Sequence, residues 1–287
     1  MSEKHVDELS GVETTGHVWD GIRELNNPLP RWWVWTFYLT IIWAIGYTVF
    51  YPAWPLLSGN TKGIWNVTNR AVLKDELTAA AASQKAVVDQ ITATPVADVL
   101  KDQKLTEFAT AAGAAAFKVN CSPCHGSGAQ GGIGYPNLND NDWLWGGSVD
   151  QIYTTIAHGI RYDQDPDTRQ SQMPNFGEML KPEEIQNVAA YVAQASKQTV
   201  EIGNPEAGQK LFADNCVACH GDKGQGNRDL GAPNLTDAIW LKGSGEAAII
   251  AQVTNPKHGV MPAWKARLGD TTVKELAIYV HSLGGGE

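Results

Sequence analysis

The run Cys-x-x-Cys-His occurs twice, as Cys121-Ser-Pro-Cys124-His125 and Cys216-Val-Ala-Cys219-His220, and the 287 residues contain no other cysteine. Two thiols at that spacing add across the vinyl groups of a haem while the adjacent histidine ligates the iron, so each run reads as a c-type haem attachment site. Half a zinc site, a thioredoxin-like pair or two structural disulfides would also consume cysteines, but none of them requires histidine directly after the second one. The fold must therefore wrap two haems c, Cys121 and Cys124 holding one and Cys216 and Cys219 the other. His125 and His220 are the proximal ligands.

The surroundings of the two motifs repeat. Phe117 and Phe212 each precede the first cysteine by four residues, and Gly113 and Gly208 precede each phenylalanine by four, which places both pairs on one helical face. Beyond the motif, Gly134-Tyr-Pro136-Asn137-Leu138 parallels Gly231-Ala-Pro233-Asn234-Leu235, and Trp143 parallels Trp240. Met173-Pro174-Asn-Phe176 parallels Met261-Pro262-Ala-Trp264, and the helical patterns around Tyr191 and Tyr279 close the copies. This order resembles the class I cytochrome c fold: a first helix, the attachment turn, a loop holding the sixth ligand, and a last helix crossing the first. A glycine facing an aromatic suits that crossing, because the missing side chain lets two helix axes approach.

Of the methionines after Met1, only Met173 and Met261 open a Met-Pro-x-aromatic run in equivalent places. Thioether sulfur is a soft ligand for iron, so these two are the expected sixth ligands. Pairing inside each repeat is the simpler geometry, although the sequence leaves it open. Met179 is read as a packing residue. His158 and His258, each before a glycine, are the rival ligands; such a histidine more often hydrogen-bonds a propionate or the backbone. An iron with both axial positions filled has no place for substrate, so no catalytic residue is expected. The carbonyls of Pro136 and Pro233 are the expected acceptors for the Nδ1 of His125 and His220.

Residues 32–57 carry no charge, and twenty residues of helix span about 30 Å, the thickness of a hydrocarbon core. Trp32, Trp33 and Trp35 at one end and Tyr47, Tyr51 and Trp54 at the other resemble interfacial belts. The chain is read as a tail (1–31), a transmembrane helix (32–57), a helical spacer (58–104, with the helix at 69–94) and cytochrome domains at 105–202 and 203–287: an all-α protein with one membrane helix and two tandem class I cytochrome c domains. Attachment of haem c takes place outside the bacterial cytoplasm, which puts the haem domains in the periplasm and the tail in the cytoplasm, at the inner membrane.

A net charge of −9 gives no basic footprint for nucleic acid. Acid is concentrated in residues 101–202, with seven Lys/Arg against twelve Asp/Glu. Three of these acids, Asp163, Asp165 and Asp167, lie in 161–172, an insertion that separates His158 from Met173 where His258 and Met261 are three apart. An acidic loop beside a haem is a candidate docking surface for a redox partner.

The tail carries the most specific resemblance. His17-Val-Trp19-Asp20-Gly21-Ile22 and Asn26-Asn27-Pro28-Leu29-Pro30-Arg31-Trp32-Trp33, followed by one membrane helix and two attachment motifs, resemble the CcoP/FixP family, the dihaem subunits of cbb(3)-type cytochrome c oxidases. The resemblance covers essentially the whole chain. It implies two low-spin haems c on His125 with Met173 and His220 with Met261. It further implies electron transfer from a periplasmic cytochrome c donor toward a catalytic haem b and copper subunit that reduces dioxygen, beside a monohaem cytochrome c subunit, with proton translocation. A free-standing dihaem carrier or the cytochrome subunit of a periplasmic dehydrogenase would use the same haem motifs without needing the tail, and a dihaem peroxidase would need one open haem.

Overall fold

The computed structural model describes residues 5–286, which form two compact units, one ending at Ser83 and one beginning at Gln84. In the first, Asp20 and Gly21 have φ of 48° and 85°. Two consecutive residues at positive φ make the type I′ turn that matches the twist of a hairpin, and Asp-Gly is suited to it. The turn joins strand β1 (Thr14–Trp19) to β2 (Ile22–Leu25), with Trp19 opposite Ile22 and Val18 opposite Arg23. The Asp-Gly-Ile run of the tail thus has a backbone purpose, and a small β element is added to an otherwise helical chain.

Helix α1 (Arg31–Phe50) follows from Pro30, whose fixed φ suits a helix start, and stops at the extended Tyr51 before Pro52. No residue of α1 is buried, so its apolar surface faces outward on every side, as a membrane span requires. The helix is thus shorter than the uncharged stretch 32–57: Pro52 and Pro55 break it, and a two-residue strand pair, β3 (Pro55–Leu56) with β4 (Gly59–Asn60), follows.

Helix α2 (Asn69–Ala93) ends within one residue of the predicted spacer and contributes its last turns to the second unit. The orphan carbonyls at its C-terminal end are collected by one ammonium: Lys274 Nζ donates to the carbonyls of Ile91 (3.3 Å), Thr92 (2.8 Å) and Thr94 (2.9 Å).

The second unit is built from α3 (Gln103–Asn120), α4 (Val149–His158), α5 (Pro182–Ala195), α6 (Pro205–Asn215), α7 (Glu246–Thr254) and α8 (Asp270–His281). Asp102 and Asn204 cap the two helices that lead into the attachment turns, each side chain accepting two backbone N–H groups. The predicted glycine-aromatic crossings are present, but between copies. Gly113 of α3 lies against Glu275 and Tyr279 of α8, with the Phe117 and Tyr279 rings 5.3 Å apart. Gly208 of α6 lies against Asn187 and Tyr191 of α5, with Tyr191 and Phe212 rings 5.2 Å apart.

One core therefore joins α3 and α4 to α8, and the other joins α5 to α6 and α7. The packed bodies differ from the sequence stretches 105–202 and 203–287: each takes its first helix from one copy and its last from the other. The chain exchanges where Ile160 and Met261 pair, Ile160 N–H donating to the Met261 carbonyl (2.9 Å) and Met261 N–H to Ile160 (3.0 Å). Gly159 is required there, because its φ is 72° and a Cβ would collide with the Met261 carbonyl.

One group of the first core should make stability fall with pH. Glu275 is 8% exposed, and burial pushes its carboxyl up to about 7. In the unfolded chain the same carboxyl ionises near its ordinary 4.5. The folded state thus holds the extra proton between those values, and stability declines as pH rises through that window. Glu275→Gln should flatten the decline and raise the melting temperature at pH 8 more than at pH 5, read by thermal unfolding at both.

Candidate haem sites

Each attachment motif forms a single helical turn, Ser122–His125 and Val217–His220, directly after α3 and α6. The turn carries both cysteines and the histidine on a short, rigid arc. No disulfide joins the four cysteines, and burial raises Cys121 and Cys216 to about 11, with the neighbouring cysteine adding to the shift.

The imidazoles are fixed as the sequence reading expected. His125 Nδ1 lies 3.1 Å from the Pro136 carbonyl and His220 Nδ1 lies 3.1 Å from the Pro233 carbonyl. A carbonyl only accepts, so Nδ1 carries the proton and Nε2 keeps its lone pair. Burial holds both histidines below their ordinary value, opposed by these carbonyl contacts. A neutral, oriented imidazole with a free Nε2 is what iron requires.

The methionines sit opposite to the simpler expectation. Met173 lines the same cavity as Cys216, Cys219 and His220, whereas Met261, like Cys121, packs against the first core. Met173 thus lies with the second attachment motif and Met261 with the first, the reverse of placement inside each repeat, and the two methionine loops meet at the Ile160 and Met261 bridge. Met179, expected to pack, is 62% exposed; Phe176, in the same short turn, takes the buried position. His158 Nδ1 is 3.3 Å from both carboxylate oxygens of Asp165, and His258 Nε2 is 3.2 Å from the Met173 carbonyl. His258 thus braces the methionine loop through its backbone.

The insertion 161–172 turns its basic residues inward. Arg161 donates to the carbonyls of Gly259 (2.7 Å) and Ser171 (2.9 Å), bridging the two methionine loops. Arg169 donates to Thr155 and to the Gln151 carbonyl, and its guanidinium lies 5.2 Å from the Trp145 ring. Asp163 and Asp167 remain exposed.

Trp240 is the residue that sequence reasoning undervalued. Its half-buried indole lines the cavity of Met173 and His220, and its buried Nε1–H meets no acceptor. The equivalent Trp143 donates to the Gly285 carbonyl. A buried donor without an acceptor costs free energy unless a ligand supplies one, and a haem propionate is such an acceptor. The matched positions of Trp143 and Trp240 were visible in the repeat, but packing alone explained them there. The apolar walls, the paired thiols, the oriented imidazole, the facing thioether and this donor all fit a covalently held haem.

Fold and site define a c-type cytochrome with two attachment turns and, among the described residues, one helix long and apolar enough to cross a bilayer. Residues 11–58 match the family described as the N-terminal domain of cytochrome oxidase-cbb3, FixP. Residues 108–192 and 203–280 match cytochrome c oxidase, cbb3-type, subunit III. The chain is 62% identical over its whole length to the full cbb3-type cytochrome c oxidase subunit FixPc of Rhizobium leguminosarum bv. viciae. It is 60% identical to FixP of Rhizobium meliloti, over 99% of this chain and 98% of that one, and 50% identical to CcoP of Cereibacter sphaeroides with both chains fully covered. The chain belongs to the FixP/CcoP family of cbb3-type cytochrome c oxidase subunits.

Proposed function

We propose that this subunit binds two haems c covalently and crosswise: one on Cys121 and Cys124 between His125 and Met261, the other on Cys216 and Cys219 between His220 and Met173. When bound, the haems supply one-electron exchange without bond chemistry. The chain's own contribution is to hold the imidazoles neutral through Pro136 and Pro233, to fix the methionine loops against one another through Arg161 and His258, and to exclude water with two apolar cores. In the second site Trp240 offers an N–H for a propionate. Low-dielectric walls and thioether ligation favour the reduced state and keep substrates from the metal.

In this reading electrons arrive from a periplasmic cytochrome c donor and leave toward a catalytic subunit with haem b and copper, beside a monohaem cytochrome c subunit, in a proton-translocating oxidase of the bacterial inner membrane. The observation that carries the reading is the duplicated attachment turn with its histidine locked to a proline carbonyl, in a chain whose relatives are named oxidase subunits. Residues 1–31 then lie in the cytoplasm and the haem sites in the periplasm. Purification from native membranes in mild detergent tests it: the chain should carry two covalent haems per polypeptide and bring with it b-type haem, copper and dioxygen consumption. A chain that purifies alone would be a free-standing carrier.

A further inference from the structure

The hairpin of the first unit has no part in the haem sites, and it lacks a core of its own. Among residues 5–26 only Thr14 is buried, while Trp19 is 65% and Ile22 72% exposed. These two are direct cross-strand partners at the tip, so they share one face, with His17 two residues along the same strand face and its ring 6.4 Å from Trp19. A two-stranded hairpin is marginal in water unless its apolar face is covered.

Two observations identify what covers it. The first is reach. Only Asn26–Pro30 separate β2 from the start of α1, and five residues extend at most about 18 Å. The hairpin is therefore held at the membrane surface on the side where α1 begins. The second is charge. Residues 5–31 carry Asp7, Glu8, Glu13, Asp20 and Glu24 against Arg23 and Arg31. An acidic element is repelled by anionic headgroups, whereas the cytoplasmic loops of multispan proteins carry an excess of Lys and Arg. Apolar tip and acidic flank together suit a basic protein surface at the bilayer edge.

We infer that the hairpin Thr14–Leu25 is a docking element for the Lys/Arg-bearing cytoplasmic loops of an integral-membrane partner subunit, with Trp19 and Ile22 as its apolar anchor. This rests on the topology given above, with the tail in the cytoplasm. The type I′ turn at Asp20-Gly21 sets the register that puts both anchors on one face, and α1 supplies the effective concentration that lets a small contact suffice.

The test uses the full chain with its oxidase partners in native membranes. Trp19→Ser with Ile22→Ser should leave the haem-stained chain in the membrane fraction at its normal amount, yet lower its co-purification with b-type haem and copper at least tenfold. Retained co-purification would overturn the docking role. A photo-crosslinking residue at position 22 should join the chain to a second, multispan polypeptide; a crosslink to lipid, to another copy of this chain or to nothing would overturn it. If the unaltered chain fails to co-purify with an oxidase, the functional reading itself falls; if it does and the double variant does equally, only the hairpin inference falls.

Discussion

Replacing Met173 by histidine should change the haem at Cys216 and Cys219 and leave the one at Cys121 and Cys124 untouched, although Met173 follows the first motif in sequence. Met173 lines the cavity of His220, and Met261 shares a core with Cys121. Exchanging thioether for imidazole removes a soft ligand that favours ferrous iron, so the affected potential should fall by on the order of 100 mV or more. Its sulfur-to-iron charge-transfer band should vanish at the same time. A background in which Cys216→Ser and Cys219→Ser remove the second attachment makes the result unambiguous. There Met173→His should leave the remaining haem's spectrum and potential as they were, and Met261→His should alter both. The reverse pattern would establish pairing inside the repeats. Redox titration followed optically is sufficient, and it does not depend on oxidase activity.

The reason this crossing could not be read from the sequence lies in the repeat itself. Each copy offers the same glycine and phenylalanine on its first helix and the same tyrosine on its last. Gly113 would find an equally suitable partner in Tyr191 or Tyr279. An exchange of equivalent elements preserves every local contact type, so pattern carries no preference between the two arrangements. What decides is a handful of contacts with no repeat signature: the Ile160 and Met261 bridge, Arg161 on Gly259, and Glu246, whose buried carboxylate accepts the N–H groups of Glu201 (2.5 Å) and Ile202 (2.9 Å) across the link between copies.

By contrast, features fixed by local chemistry were legible. The attachment turns, the proline acceptors, the start of α1, the end of α2 and the helix-crossing glycines all follow from residues within a turn or two of each other, or from a motif whose chemistry permits few alternatives. The hairpin fell between these cases. Its Asp-Gly turn was present in the sequence, but strands of six and four residues with few alternating apolar positions give a weak strand signal. The acidic insertion shows the same limit: its charge was plain, whereas the inward course of Arg161 and Arg169 depends on partners brought together only by the fold.

Gly113→Ala should destabilise the first core and Gly208→Ala the second, each by about 1–3 kcal/mol. Inside a helix, alanine would ordinarily gain close to 1 kcal/mol over glycine. Here the added Cβ would overlap the Glu275 carbonyl in one case and the Asn187 carbonyl in the other. Backbone cannot swing aside as the end of a long side chain can, so the helices must separate and forfeit the packing of Phe117 on Tyr279 or Phe212 on Tyr191. Hydrogen exchange reads out which helices do so. Gly113→Ala should lower protection in α3 and α8, 150 residues and more apart in sequence, while α5 and α6 keep theirs; Gly208→Ala should do the opposite. Loosening of α5 by the change at Gly113 would mean that the copies fold separately, and the crossed ligand sets would fall with it. The attachment turns follow α3 and α6, so a loss of protection confined to α3 and α8 should be matched by a loss of the Met261 charge-transfer band alone.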